Sequence, residues 1–576
     1  MKKALFLFCP FLLGYLGLAV IKNNEEATFS RESYRSSTSA AISCAPGADE
    51  ALFRFENGKY IGLLPGRGKY SYTITTKSDS AQVYFDQGLS MYYSYHMREA
   101  LASFREAARF DSSCAAIYWA QALAMGPTYN QGYAYKLPAS IATVLEKMNR
   151  YAEGGSRKEK DLFMAMNQRY SRSDTADLQR SQHNLRYAEA MKPLVAKYGD
   201  DPDVKMLYTD AVMLIHSWDF WHNDGMPKSW TPELVRLCEE VLQKVPVHPG
   251  GLHYYIHLTE ASRKPEVALA SADSLRKLYP GIAHMVHMSS HEYERIGYYA
   301  KGVSANEEAD KSLVLYDSLA KGLFPRVHVP HYYAVDAYCA LSGAMYKAGL
   351  PKALTLRESV SPTHKDTYMQ YQYMFPLFVM VRMGKWQEII EDRSVINGDW
   401  TYAGLLNDFA KGMAFARTGD YDKAEAHLTS IRQHKRDSIL VIKFAPHTSS
   451  PAECAVVAEN ILDATLNFSR KKYTEAYTAI NKAIAAEDKL IYSEPKIWLL
   501  PARQYAGAFL MQQKRWKEAE KVYRDDLIWN PGNGWSLLGL HQALERQGKS
   551  KELKKLQKQY RYSFSEADVL PPGSAY

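Results

Sequence analysis

His253-Tyr-Tyr-Ile-His257 and His284-Met-Val-His287-Met-Ser-Ser-His291 decide how this chain of 576 residues folds. His287 follows His253 by 34 residues, and His291 follows His257 by the same 34. Within each pair the i, i+4 spacing sets both imidazoles on one helix face, one turn apart. A period of 34 residues with helical spacing inside each copy describes a unit of two helices stacked on its neighbour. The two pairs therefore take matching places on the first helices of adjacent units. Four imidazoles converging from neighbouring helices have the makings of a metal site.

The same unit recurs along the chain. Near the C-terminus it reads Gly507, Ala519, Tyr523 and Pro531, with Trp535-Ser-Leu-Leu-Gly539 opening the next helix. Near the start it reads Tyr84, Gly88, Ala100, Phe104 and Ala107, with Asp111-Ser112 at the turn. Gly412/Ala424/Leu428 and Ala464/Ala476/Ile480/Ala483 keep the same 12-residue step from first to second helix. In the histidine segment Ala268 holds the second-helix alanine place and Pro280-Gly281 closes the repeat. Small residues recur where paired helices touch, and Pro or Gly marks the turns. Residues 80–565 thus resemble the tetratricopeptide fold, which implies an all-α, right-handed superhelical solenoid. The strings Ala81-Gln-Val-Tyr-Phe-Asp-Gln-Gly88, His253-Tyr-Tyr-Ile-His257, His284-Met-Val-His287-Met and Asn533-Gly-Trp-Ser-Leu-Leu-Gly539 also resemble a large bacterial family of histidine-containing tetratricopeptide proteins without a settled activity. Thr128 and Asp408 depart from that family's pattern, standing where relatives often have histidine.

A chain this long can bury a large core, and a solenoid extends past the size at which one globule splits. The 42 tyrosines are read as fillers between stacked helices, or as stacking platforms in a groove for a peptide or a sugar. The net charge is +8, and +6 without Lys2 and Lys3. No basic run carries interleaved aromatics; Lys551 to Lys558 reads as a short solvated face. Nucleic acid is excluded as a partner on these grounds.

Residues 1–22 read as a signal peptide, or an uncleaved membrane anchor: Met1-Lys-Lys is followed by an apolar run from Ala4 to Ile21. The protein is accordingly expected outside the cytoplasm, periplasmic or tethered, and to meet a membrane only through this segment. The Ser, Thr, Ala and Glu of 23–50 describe a disordered linker. Residues 51–79, with an Asn-Gly turn and β-prone residues, predict an extended N-terminal cap or a hairpin. The remaining divisions are N-terminal repeats (80–217), a tryptophan-rich insertion (218–230), histidine-rich repeats (231–315), degenerate middle repeats (316–440), C-terminal repeats (441–565) and a tail (566–576). The cysteines are scattered, with no Cys-x-x-Cys; Cys114, Cys238, Cys339 and Cys454 read as small buried residues.

In the repeats this chain resembles, positions two, five, nine and twelve of the first helix face the concave groove. That register implies a groove carrying His284, His253 and His287, His257 and His291, and Glu260 and Glu294. Imidazoles from adjacent helices suit zinc, copper or iron as a transition-metal cofactor. His331 begins the following helix and adds a further ligand; His96, His216 and His222 are weaker candidates. Tyr254, Tyr255, Trp218 and Trp221 are the candidate groove aromatics.

Three functions stay open. The first is a binding or scaffold protein for a protein or peptide, with a metal in the histidine groove. The second is a metal-dependent hydrolase or oxidoreductase with Glu260 or Glu294 as general base. The third is a metal-free accessory protein binding peptides or glycans through the aromatics. No phosphate loop, Gly-x-Ser-x-Gly or dinucleotide fingerprint is present, so catalysis is permitted but not indicated.

Overall fold

The computed structural model describes residues 58–130, 135–170, 177, 179–320 and 330–576. The expectations for 1–22 and 23–50 lie outside the described residues. These hold 25 α-helices, from Asp79–Tyr93 to Leu553–Ser563, with three short 3-10 turns and no strand. No described helix is long and apolar enough to cross a membrane. Successive helices pack on one another along the chain, as stacked two-helix repeats do.

The small residues of the repeat are forced by contact. A Cβ on Gly88 would stand 2.5 Å from the Phe104 ring. One on Gly507 would overlap the Tyr523 ring, and one on Gly539 would meet the same ring from the next repeat. In these repeats the second-helix aromatic, Phe104 or Tyr523, fills the space that the missing side chains leave. Cys114, Cys238, Cys339 and Cys454 are buried and free, as their setting predicts.

Two consecutive repeats carry the histidines. The helix Pro249–Thr259 starts at His248, whose Nδ1 accepts from the Gly251 amide at 3.1 Å, with Pro249 in the first turn. After a 3-10 turn (Pro265–Ala268) the helix Leu269–Leu278 returns, and Ala283–Arg295 forms the second histidine helix. Every residue of both histidine helices is buried. Tyr299–Ala320 and Pro330–Ser342 follow.

Two features depart from the linear picture. Residues 58–78 hold no helix and no strand, in keeping with an extended cap, and their amides bond to side chains of the helices; residues 51–57, up to the Asn57-Gly58 turn, lie outside the described residues. Leu64 N donates to Gln87, Tyr72 N to Asp86, Ile74 N to Gln82 and Thr75 N to Glu159, at 2.8–3.1 Å. The segment also reaches the turn before the second histidine helix, where Gly281 N donates to Gly66 O at 3.0 Å. The second feature is that the C-terminal repeats return to the histidine repeats. Trp535 Nε1 donates to Ser342 O at 2.8 Å, Asn223 Nδ2 to Lys489 O at 2.9 Å, and Arg263 lies over Trp529 at 4.0 Å. These contacts bring the loop between Tyr473–Glu487 and Ala502–Gln512 against the histidines.

Candidate metal centre

Six buried histidines fall into two trios: His253, His257 and His284, and His287, His291 and His331. Within each trio, one ligand nitrogen per residue lies within 4.8 Å of the other two. In the first, His253 Nε2 and His284 Nε2 stand 3.1 Å apart. In the second, His291 Nε2 lies 2.9 Å from His287 Nε2 and 3.3 Å from His331 Nε2. The trios adjoin, with ring centroids of His257 and His291 6.2 Å apart and those of His284 and His287 6.0 Å apart.

Four of these rings are oriented by an acceptor at Nδ1. His253 Nδ1 lies 2.6 Å from Tyr93 O, and His287 Nδ1 lies 2.6 Å from Asn306 Oδ1. Asn306 Nδ2 donates to Gly302 O at 2.9 Å, which turns its oxygen to the imidazole. Glu260 serves two rings at once, with Oε1 2.9 Å from His257 Nδ1 and Oε2 3.0 Å from His291 Nδ1. Glu494 adds a second carboxylate 3.0 Å from His291 Nδ1. In a neutral ring, donating from Nδ1 leaves Nε2 with its lone pair, which is the state of His253, His257 and His287.

Burial sets the charge state of the cluster. It pushes His257 and His331 down to about 3, and holds His253, His284 and His287 well below the ordinary imidazole range. His291 is the exception. Burial lowers it, but the Glu494 and Glu260 carboxylates outweigh that and raise it well above the usual value. Five neutral imidazoles are the form in which histidine ligates a metal.

Two cavities reach the cluster. The larger, about 110 Å³, is lined by His257, Glu260 and Glu494 among aromatics that include Trp218, Trp221 and Tyr129. The smaller, about 30 Å³, is lined by His331, Glu494, Trp218 and His447. Trp221 is pinned by Nε1 donating to Leu258 O at 2.8 Å. Glu494 Oε1 is buried and has no hydrogen-bond partner among the described residues, as has His257 Nε2.

The other candidate residues are placed as follows. Glu294 is buried outside both trios, and burial pushes its carboxyl to about 8. Tyr254 is fully buried beside Tyr93 and Tyr95, and Tyr255 donates to Glu239; neither lines the two cavities above. His96 Nε2 accepts from the His284 amide at 3.2 Å, and His216 stacks on Trp230 at 3.6 Å. His222 lines the larger cavity. Met285 and Met288 are buried core residues. Thr128 is buried beside Tyr129, whose ring lies 4.9 Å from His257, and Asp408 pairs with His427 and His434. Glu494 and Asn306 are absent from the sequence reading. Neither has a local signature, and Glu494 arrives from 203 residues beyond His291.

No family model matches this chain, and no curated protein does. Among solved structures it is similar to the human IFIT1 dimer with m7Gppp-AAAA, at 12% identity over 86% of this chain and 91% of that one, TM-score 0.30. It is similar to yeast Tom70 at 12% identity, covering 84% and 93% of the two chains, TM-score 0.26. The APC/C hetero-tetramer Cut9-Hcn1 gives 10% identity, 83% and 90% coverage, and a TM-score of 0.25. At that level the assignment to tetratricopeptide-type repeats rests on the helix pairing and the 34-residue register of the chain itself.

Proposed function

We propose that this chain is an exported tetratricopeptide-type binding protein that holds a transition metal in its histidine cluster. The observation that carries the reading is the orientation of the rings. His253, His257, His287 and His291 each have Nδ1 against a carbonyl, amide or carboxylate oxygen. Metal-ligating histidines are held in this way, by an acceptor that fixes the tautomer and raises the basicity of the other nitrogen. The Nε2 separations of 2.9–3.3 Å are close to the spacing of about 3.3 Å between ligands bonded tetrahedrally at about 2.0–2.1 Å. An imidazole donor set with no thiolate suits zinc, copper or iron and disfavours magnesium or calcium.

Export rests on residues 1–22, and the site of action is periplasmic or at the membrane that this segment would hold. The repeats are read as presenting a surface to a protein or peptide partner, with a glycan as the alternative. One observation favours a hydrolytic use of the same centre: His257 and the Glu494 carboxylate both line the larger cavity, which has room for water.

The test is metal content by mass spectrometry on the chain purified without an affinity tag, beside a variant with His253, His257, His287 and His291 changed to Ala. Bound metal near a whole number per chain in the parent, and none in the variant, is the expected result. No metal in either protein, after reconstitution with zinc, copper and iron, overturns the reading.

A further inference from the structure

We infer that the centre takes two divalent transition-metal ions, one in each histidine trio, with Glu260 tying the two sites together. This deepens the metal-binding reading and rests on it.

Six histidines exceed what one zinc ion uses, since zinc takes four imidazole, thiolate or oxygen ligands in a tetrahedral site. The six divide without overlap: no histidine of the first trio belongs to the second. The sequence period explains the division in part. His253 and His257 come from one repeat and His287 and His291 from the next, and each pair is completed by one residue from elsewhere. His284, at the start of the second histidine helix, completes the first trio; His331, at the start of the Pro330–Ser342 helix, completes the second. Each trio is thus a pair one turn apart on one helix, closed by a histidine from the first turn of a following helix.

Glu260 is the link between them. Its two oxygens bond one histidine of each trio, at 2.9 and 3.0 Å, so a single carboxylate sets the tautomer on both sides. Each trio also has its own approach. His257 lines the larger cavity and His331 the smaller, while Glu494 lines both. Three histidines leave one coordination position per ion, which is the arrangement of a catalytic rather than a closed structural site. His257, Glu260 and Glu494 also lie within 4.8 Å of one another, but that grouping competes with the trios instead of adding to them. Glu260 holds both His257 and His291 through Nδ1, so their Nε2 atoms remain for the trios, that of His291 lying 2.9 Å from His287 Nε2 and 3.3 Å from His331 Nε2.

The experiment is a stoichiometric loading of the full-length protein with zinc, followed by metal analysis. It is run on the parent, on a variant with His253, His257 and His284 changed to Ala, and on one with His287, His291 and His331 changed to Ala. Two ions per chain in the parent and one in each variant is expected. One ion per chain in the parent overturns the two-site inference and leaves the metal-binding reading intact; none overturns that reading itself. Two ions retained by both variants place the metal elsewhere and overturn both. A reading that does not depend on the triple variants folding comes from the parent loaded with copper(II) and followed by electron paramagnetic resonance. A spin-coupled pair is expected, and signals from isolated ions only would overturn the inference.

Discussion

Glu260→Gln isolates the bond that links the two halves of the cluster. The glutamine side chain keeps the shape of the carboxylate, but one of its two polar atoms is a donor. The amide nitrogen faces one imidazole N–H, either that of His257 (2.9 Å), which then has no carboxylate acceptor, or that of His291 (3.0 Å), which keeps Glu494 at 3.0 Å, and the remaining bond to residue 260 loses its charge. A hydrogen bond to a charged group contributes about 1.5–3 kcal/mol. At about 1.4 kcal/mol per factor of ten, metal affinity should fall by about 10- to 100-fold, the range typical of outer partners of ligating histidines. The assay is zinc competition against a chelator of known affinity, with circular dichroism to show that the fold persists. Glu294→Gln is the control. Burial pushes the Glu294 carboxyl to about 8, so at pH 7 it is mostly protonated, and the change removes little charge. Affinity within twofold of the parent for Glu260→Gln, in a folded protein, would refute the assignment of Glu260 as the shared orienting group.

Two further outcomes concern stability. Gly507→Ala should destabilise by about 1–3 kcal/mol despite the helix preference of alanine, because Tyr523 is wedged between Gly507 and Gly539 and its hydroxyl is 2.7 Å from Ser574 Oγ. An unchanged denaturation midpoint would contradict that packing. Burial raises the Asp408 carboxyl, but hydrogen bonds from His427 and His434 outweigh it and hold it at about 2, below the unfolded value of 3.8. A depressed carboxylate stabilises the fold above its unfolded pKa and loses that contribution as pH falls through the folded one. Asp408→Asn should therefore cost roughly 2 kcal/mol at neutral pH, with the difference from the parent disappearing between about pH 4 and pH 2 in urea titrations.

Much of the fold was legible because its determinants are local. The 34-residue return of His253 and His257 as His287 and His291 needs only the chain order, and the glycines at 88 and 507 stand 16 residues from the aromatics they meet. The histidines of the cluster were legible for the same reason, as was His331 at its helix start. What stayed hidden depends on distant closure. Glu494 meets His291 only because the C-terminal repeats pack back on the histidine repeats, through contacts such as Trp535 with Ser342. The way residues 58–78 are held was hidden for a related reason. Their β-prone pattern is real, but Gln82, Asp86, Gln87 and Glu159 offer the amides acceptors that no local pattern reveals.

Burial separates the metal question from the partner question. His253, His257, His284, His287, His291 and His331 are each 0–2% exposed, so a peptide or glycan laid on the surface would touch none of them. The larger cavity, at about 110 Å³, has room for several waters or a small molecule, since one water needs about 10–15 Å³ of such space. A groove that recognises a chain needs its donors in the open, whereas a metal site is served by neutral imidazoles in a dry setting with a narrow approach. A protein partner would therefore read the outer faces of the repeats and sense the metal only through the helices that carry it. Histidine variants and surface variants should then separate the two activities.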